Sequence, residues 1–127
     1  MQAYFNFNKF IYFNRSECFF EHWGNNKLIY TQGMQDLALK LNCYWFIEEV
    51  AYQILPRLLQ HHKDYFYCII FSVNQDSSAL ISIDDGNGNV HFNHFIKWTD
   101  FPCKEKTSKF YLCETSSQYC LMLPDEY

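Results

Sequence analysis

Glycine and proline are scarce, with 4 and 3 in 127 residues. A chain so poor in both is neither collagenous nor a flexible linker, and Asn, Asp and Ser must make most of its turns. The 6 cysteines, at positions 18, 43, 68, 103, 113 and 120, include no Cys-x-x-Cys, so the spacing of a zinc ribbon or redox motif is missing. Free thiols serving as small core residues are the expectation. No window approaches 18 uncharged apolar residues, which excludes a spanning helix. Met1 to Phe13 lacks a basic leader segment, and Asn6, Asn8 and Lys9 interrupt its apolar run, so no signal peptide is read there and a cytoplasmic protein is expected.

Positive charge is also short. Lys and Arg number 10 against 14 Asp and Glu, a formal net charge of −4. Duplex and membrane-surface binders carry a basic face, so neither class fits, and direct nucleic-acid binding is not expected. A protein partner with a basic surface does fit. There is no Gly-rich phosphate loop, no G-x-S-x-G, no H-E-x-x-H and no aromatic-basic strand of the RNA-binding type.

Rings are what the sequence has in excess. Aromatic residues make up 20% of the chain, from 13 Phe, 10 Tyr and 3 Trp. A domain of this length hides about two-thirds of its unfolded surface, and one small core is not expected to absorb so many rings. The remainder belongs at an interface with a partner or a second copy of the chain.

The stretch from Tyr65 to Trp98 organises the fold. Tyr65 to Val73 is apolar on both faces, as a central strand is. Residues 79–84 and 90–98 read as a hairpin about Asn87-Gly88, with a type I′ turn that needs positive φ at both residues. That register sets Ile83 opposite Phe92, Ile81 opposite His94, Ala79 opposite Ile96, Ser82 opposite Asn93 and Asp84 opposite His91.

Upstream, Ala3 to Phe13 reads as an edge strand or extended arm. Asn14 with Glu17 three residues on has capping-box spacing, so a first helix is expected to run on through Trp23 and stop at Gly24. Thr31 caps a second helix over residues 32–41, on the recurrence of Met34, Leu37, Ala38 and Leu41. A third runs from Cys43 to Leu55, where Pro56 stops or kinks it. Phe110 to Cys113 and Tyr119 to Leu123 are short strands. The expected fold is α+β: a single domain, 1–127, of two or three N-terminal helices packed on one face of a four- to five-stranded antiparallel sheet.

Several groups carry possible chemistry. Asp85-x-Asn87-x-Asn89 opens like a calcium loop, but Val90 and Ile96 stand where Gly and Glu are required, so a plain hairpin tip is expected. His61-His62 with Asp64 follows a helix end without further ligands at a fixed spacing, and no metal or cofactor is expected. Asp84 opposite His91, with Ser82 nearby, is the best acid/base pair, and it supports an alternative reading as a small metal-dependent or acid/base hydrolase. No catalytic residue is assigned. The expected binding residues are the rings Trp23, Tyr30, Trp45, Tyr52 and Trp98 with the carboxylates Glu48, Glu49, Asp84 and Asp85 as an acidic rim.

Six pieces of the chain, taken in order, carry a resemblance: Phe20-x-His22-Trp23, Leu28-Ile29-Tyr30-Thr31-x-Gly33, Tyr44-Trp45-x-Ile47, Asp84-Asp85-Gly86-Asn87-Gly88, Thr99-Asp100-Phe101-Pro102 and Leu123-Pro124-x-Glu126-Tyr127. Together they resemble an uncharacterised family of small bacterial and mobile-element proteins known as a domain of unknown function. The cysteine count and His61-His62 look peculiar to this sequence. The resemblance implies a compact single domain and no reaction. Its phage and plasmid setting implies a host-directed role, such as an anti-CRISPR-like inhibitor that occupies a surface of a defence complex. The expected function is accordingly a non-enzymatic protein-binding module.

Overall fold

The computed structural model describes residues 9–12, 18–62, 64–101 and 107–127. Its strands are β1 Lys9–Tyr12, β2 Cys18–Glu21, β3 Leu28–Thr31, β4 Phe66–Val73, β5 Ala79–Asp84, β6 Val90–Ile96, β7 Thr107–Glu114 and β8 Tyr119–Met122. Two helices accompany them among the described residues: α1, Gln32–Lys40, and α2, residues 44–61. The strands form one 8-stranded sheet in the order β1-β2-β3-β8-β7-β4-β5-β6. Neighbours are antiparallel except β3 and β8, which run parallel with Ile29 beside Cys120.

This corrects the expected four- to five-stranded antiparallel sheet under two or three helices. The segment expected to end the first helix is a strand instead. Cys18, Phe19, Phe20 and Glu21 pair with β1 on one side, and Phe19, Phe20 and Glu21 pair with β3 on the other. Phe-rich segments pack well on a pleated surface, and partners on both sides outweigh a local capping signal. Asn14 and Glu17 lie outside the described residues. Leu28-Ile29-Tyr30, expected only to lead into a helix, is likewise a sheet strand, and all three residues are fully buried.

Alternation sorts β4 into two faces. Tyr67, Ile69, Phe71 and Val73 are buried in the main core, where they meet Ile81 and Ile83 of β5, Phe110 and Leu112 of β7, and Leu121 of β8. The helices contribute Met34, Ala38, Phe46, Ile47, Val50, Ile54, Leu55 and Leu58 to the same core. Fully burying such a side chain stabilises by about 1.5–3 kcal/mol, so this layer dominates the fold. The other face of the sheet holds a smaller buried cluster, Phe19, Ile29 and Cys120 with Met122 against it.

Thr31 caps α1 as its sequence indicates: its Oγ1 accepts the Met34 N–H at 3.1 Å. Asn42, with φ 52°, takes the left-handed conformation between the helices. Helix α2 passes straight through Pro56 by changing its pitch. Tyr44–Glu49 is α-helical, Val50–Ile54 is a π-helix, and Leu55–His61 is α-helical again. Leu55 N–H reaches back to the Val50 carbonyl, five residues away. In that register the Ala51 carbonyl would look to residue 56, which as proline has no N–H. Asn25 Nδ2 donates to it instead, at 2.7 Å.

The hairpin has the expected register from Ala79–Ile96 to Ile83–Phe92 and then departs from it. A bulge puts Asp84 opposite Val90, not His91. Nor is the turn type I′ about Asn87-Gly88: the positive φ angles belong to Gly86, 89°, and Gly88, 90°. The Asp85 carboxylate explains the longer loop. Its Oδ1 accepts the N–H of Asn87 at 2.8 Å and of Asn89 at 3.2 Å, and its Oδ2 accepts Asn89 Nδ2 at 2.8 Å.

Candidate functional site

The expected binding rings divide into two sets. Tyr30 is fully buried and shares a 2.6 Å hydrogen bond with the Tyr44 hydroxyl. Trp45 packs edge-on against Phe46 and Phe71 at the core. Tyr30 is an interior residue, and Trp45 is partly buried against the core. Trp23, Tyr52 and Trp98 reach the surface, at 52%, 44% and 65% exposure. Phe95, which the sequence did not single out, is 62% exposed and lies opposite the partly exposed Leu80.

Trp23, Tyr52 and Glu48 come together around His22. The imidazole is buried; it stacks on Trp23 with centroids 6.1 Å apart and meets the Tyr52 ring edge-on at 5.3 Å. Its Nδ1 accepts two backbone N–H groups, from Gly24 and Asn25, both at 3.1 Å. An acceptor at Nδ1 places the proton on Nε2, which donates to Glu48 Oε2 at 2.5 Å. Both nitrogens are therefore occupied in holding the 24–26 loop against α2. The next carboxylate on the helix, Glu49, accepts from His94 Nε2 at 2.8 Å and ties α2 to β6.

The bulge separates the pair expected to do acid/base work. Asp84 is buried, and its Oδ1 accepts the Gly86 N–H at 2.7 Å. His91 sits against the helical layer. Its ring lies 4.2 Å from His62 and 5.5 Å from Tyr67, centroid to centroid. Its Nε2 is 3.1 Å from Asp64 Oδ2, within ion-pair reach but without hydrogen-bond alignment. Burial, then the charges of His91 and His61, hold His62 below its ordinary value. Asp64 is clamped through its backbone: Tyr67 Oη accepts its N–H at 2.9 Å and Tyr119 Oη donates to its carbonyl at 2.8 Å. Desolvation pushes the Tyr67 hydroxyl up to about 12.

Among the described residues no group of three or more His, Cys, Asp and Glu is placed to hold a metal ion, and no helix is long and apolar enough to cross a membrane. Cys43, Cys68 and Cys113 are free thiols. Burial raises Cys43, which also faces the Asp100 charge, and Cys113 to about 11 each. A protonated thiol is a poor nucleophile and metal ligand.

A second group of rings gathers where Asp64 and the β5–β6 loop meet. Phe66, Tyr111 and Tyr127 contact one another edge-on at 5.0, 5.3 and 5.4 Å. Tyr127 closes the last of the six pieces that carry the resemblance, whereas no sequence motif marks Phe66 or Tyr111. Their common face follows from register, since β4 and β7 pair Phe66 with Cys113 and Cys68 with Tyr111.

The same distant pieces that carry the sequence resemblance meet in space, and a family model covers them. DUF6876, a family of unknown function, matches residues 7–127. The chain belongs to this family. No curated protein and no solved structure matches it. Two contacts join those pieces within the DUF6876 match. Tyr30 of the second piece meets Tyr44 of the third through their hydroxyls. Thr31, also of the second, donates to Glu126 of the last at 2.6 Å.

Proposed function

We propose that this protein is a non-enzymatic protein-binding module that covers a basic surface of its partner. The observation that carries the reading is the exposure of Phe95 and Trp98, 62% and 65%, at the end of the edge strand β6. Large rings beside an open sheet edge supply both an anchor and free backbone groups for another chain to pair with. Trp23 and Tyr52 make a second exposed pair, and the net charge of −4 favours a basic partner. An acid/base or metal-dependent hydrolase built on Asp84 and His91 is less well supported, because those residues engage different partners. The finer form of the proposal is an inhibitor borne by a phage or mobile element. It would dock on the basic nucleic-acid channel of a host defence complex, as an anti-CRISPR protein does.

Affinity capture from a host lysate tests the reading. One stoichiometric partner is expected, released by salt and lost by the Phe95→Asp and Trp98→Asp variants with circular dichroism unchanged. Recovery of chaperones alone, or a partner indifferent to both substitutions, overturns it.

A further inference from the structure

The Phe66–Tyr111–Tyr127 cluster borders a built concavity. Phe66 and Tyr127 line a hollow of about 370 Å³ together with Asp64, Tyr65, Asp85 and Gly86. Tyr111 buttresses both lining rings from β7, at 5.0 and 5.4 Å. Gly86 lets the Phe66 ring close down on the loop: a Cβ there would lie 2.8 Å from the ring's Cε2, and φ is +89°. Tyr127, 75% exposed, is nonetheless positioned. Its N–H reaches the Pro124 carbonyl at 3.2 Å, and the preceding Glu126 is fastened to Thr31.

Asp64 and Asp85 line the hollow, and no lysine or arginine does so among the described residues; the imidazole nearest them is His91, 3.1 Å from Asp64 Oδ2. Asp85 stays ionised to low pH, because the Asn89 side chain and the Asn87 N–H hydrogen-bond its carboxylate form. A ring face carries negative quadrupole density, so ring faces beside carboxylates make the environment that attracts an organic cation. We propose that this hollow is an aromatic cage that takes a cationic side chain, a lysine ammonium or an arginine guanidinium, from the protein partner. The inference deepens the function proposed above and rests on it for the source of that side chain. The cage chemistry itself is separable and is tested with small cations.

The test is a titration followed through the ring resonances of ¹³C-labelled tyrosine at constant ionic strength. The probes are tetramethylammonium chloride, Nα-acetyl-arginine methylamide and, as the neutral shape match, tert-butanol. Both cations are expected to shift Tyr127 and Tyr111 saturably in the millimolar range, and tert-butanol to bind at least about tenfold more weakly. Tyr127→Leu is expected to weaken cation binding about tenfold and Tyr127→Phe to retain it, because the ring face and not the hydroxyl does the work. Asp64→Asn weakens it several-fold. An equal response to tert-butanol, shifts that survive Tyr127→Leu, or no saturable shift overturns the cage. If the cage fails while partner capture stands, the general reading survives. If cations bind and no partner is captured, the cage survives without that reading.

Discussion

Thr31 and Glu126 share a 2.6 Å hydrogen bond across 95 residues of chain. The threonine hydroxyl uses both of its capacities at once. It donates its proton to Glu126 Oε1 and accepts the Met34 N–H that begins α1. Glu126 Oε1 also accepts the Leu123 N–H at 2.9 Å. Gly33 makes the arrangement possible, since a Cβ at that position would come within 2.4 Å of Glu126 Oε2. Glycine at this position leaves space for the Glu126 carboxylate, which a Cβ would push aside.

Glu126→Ala should therefore cost roughly 1.5–3 kcal/mol, the range for hydrogen bonds to a charged acceptor. Gly33→Ala should destabilise the wild-type chain and cost much less in the Glu126→Ala background. A urea-denaturation double-mutant cycle reads the coupling. Additive effects would show that the two sites do not interact.

Asn25 stands in for an N–H that Pro56 lacks. Asn25→Ala leaves the Ala51 carbonyl without its donor and should cost roughly 1–3 kcal/mol. Pro56→Ala restores a backbone N–H, so the second substitution should recover part of the loss. Thermal melts of the two single variants and the double variant check this. A double variant no more stable than Asn25→Ala alone would contradict the substitution of one donor for another.

Gln35 is fully buried in α1, and among the described residues neither its Oε1 nor its Nε2 has a hydrogen-bond partner. An unmet buried amide costs roughly 1–3 kcal/mol. Gln35→Leu keeps the size and the helix propensity and removes the unmet polarity. It should raise the urea midpoint, whereas a midpoint lowered by more than the experimental error would mean that the amide has an unrecognised role.

Acid should weaken the fold through His62. Burial, the His91 and His61 charges and Arg57 outweigh Asp64 and hold its folded value below 6.5. The unfolded chain then binds the proton more tightly, so stability falls as pH drops through 6.5 and levels off below the folded value. Above that window the group contributes no pH dependence. Urea midpoints taken from about pH 8 to pH 5 should decline, and His62→Gln should flatten the decline. An unchanged slope in that variant would assign the effect to another group.

Much of the α1, α2 and β4–β5–β6 region was legible in the sequence because its signals are local. Thr31 caps what it was expected to cap, and the period changes from helical to alternating at Tyr65. Ile81 and Ile83 face the partners that alternation assigns them. The N-terminal third misled. Its strands pair with near neighbours, Ile11 and Thr31 flanking Phe19, but the sheet they join is completed by β3 pairing with Tyr119, Cys120 and Leu121, which no local window reveals. The Asp84–His91 pairing failed for a different reason. Asp85 holds a five-residue loop in place of a two-residue turn, and one extra residue in a strand is enough to redirect a histidine. Of the binding residues, the exposed Trp23, Tyr52 and Trp98, the buried Tyr30 and the partly buried Trp45 look alike in sequence. Only packing tells them apart.

Strand β8 follows every other strand among the described residues yet lies between β3 and β7. The sheet consequently has a keystone that emerges from the ribosome after the pieces it joins. Until it arrives, β1–β3 have no sheet partner in the remaining strands, and β4–β7 present an open flank at β7. A truncation just ahead of Tyr119 would not trim an edge but would cut the molecule into two halves, each with a raw sheet margin and part of the hydrophobic layer uncovered. A nascent chain of this kind needs protection from its neighbours until β8 has been made.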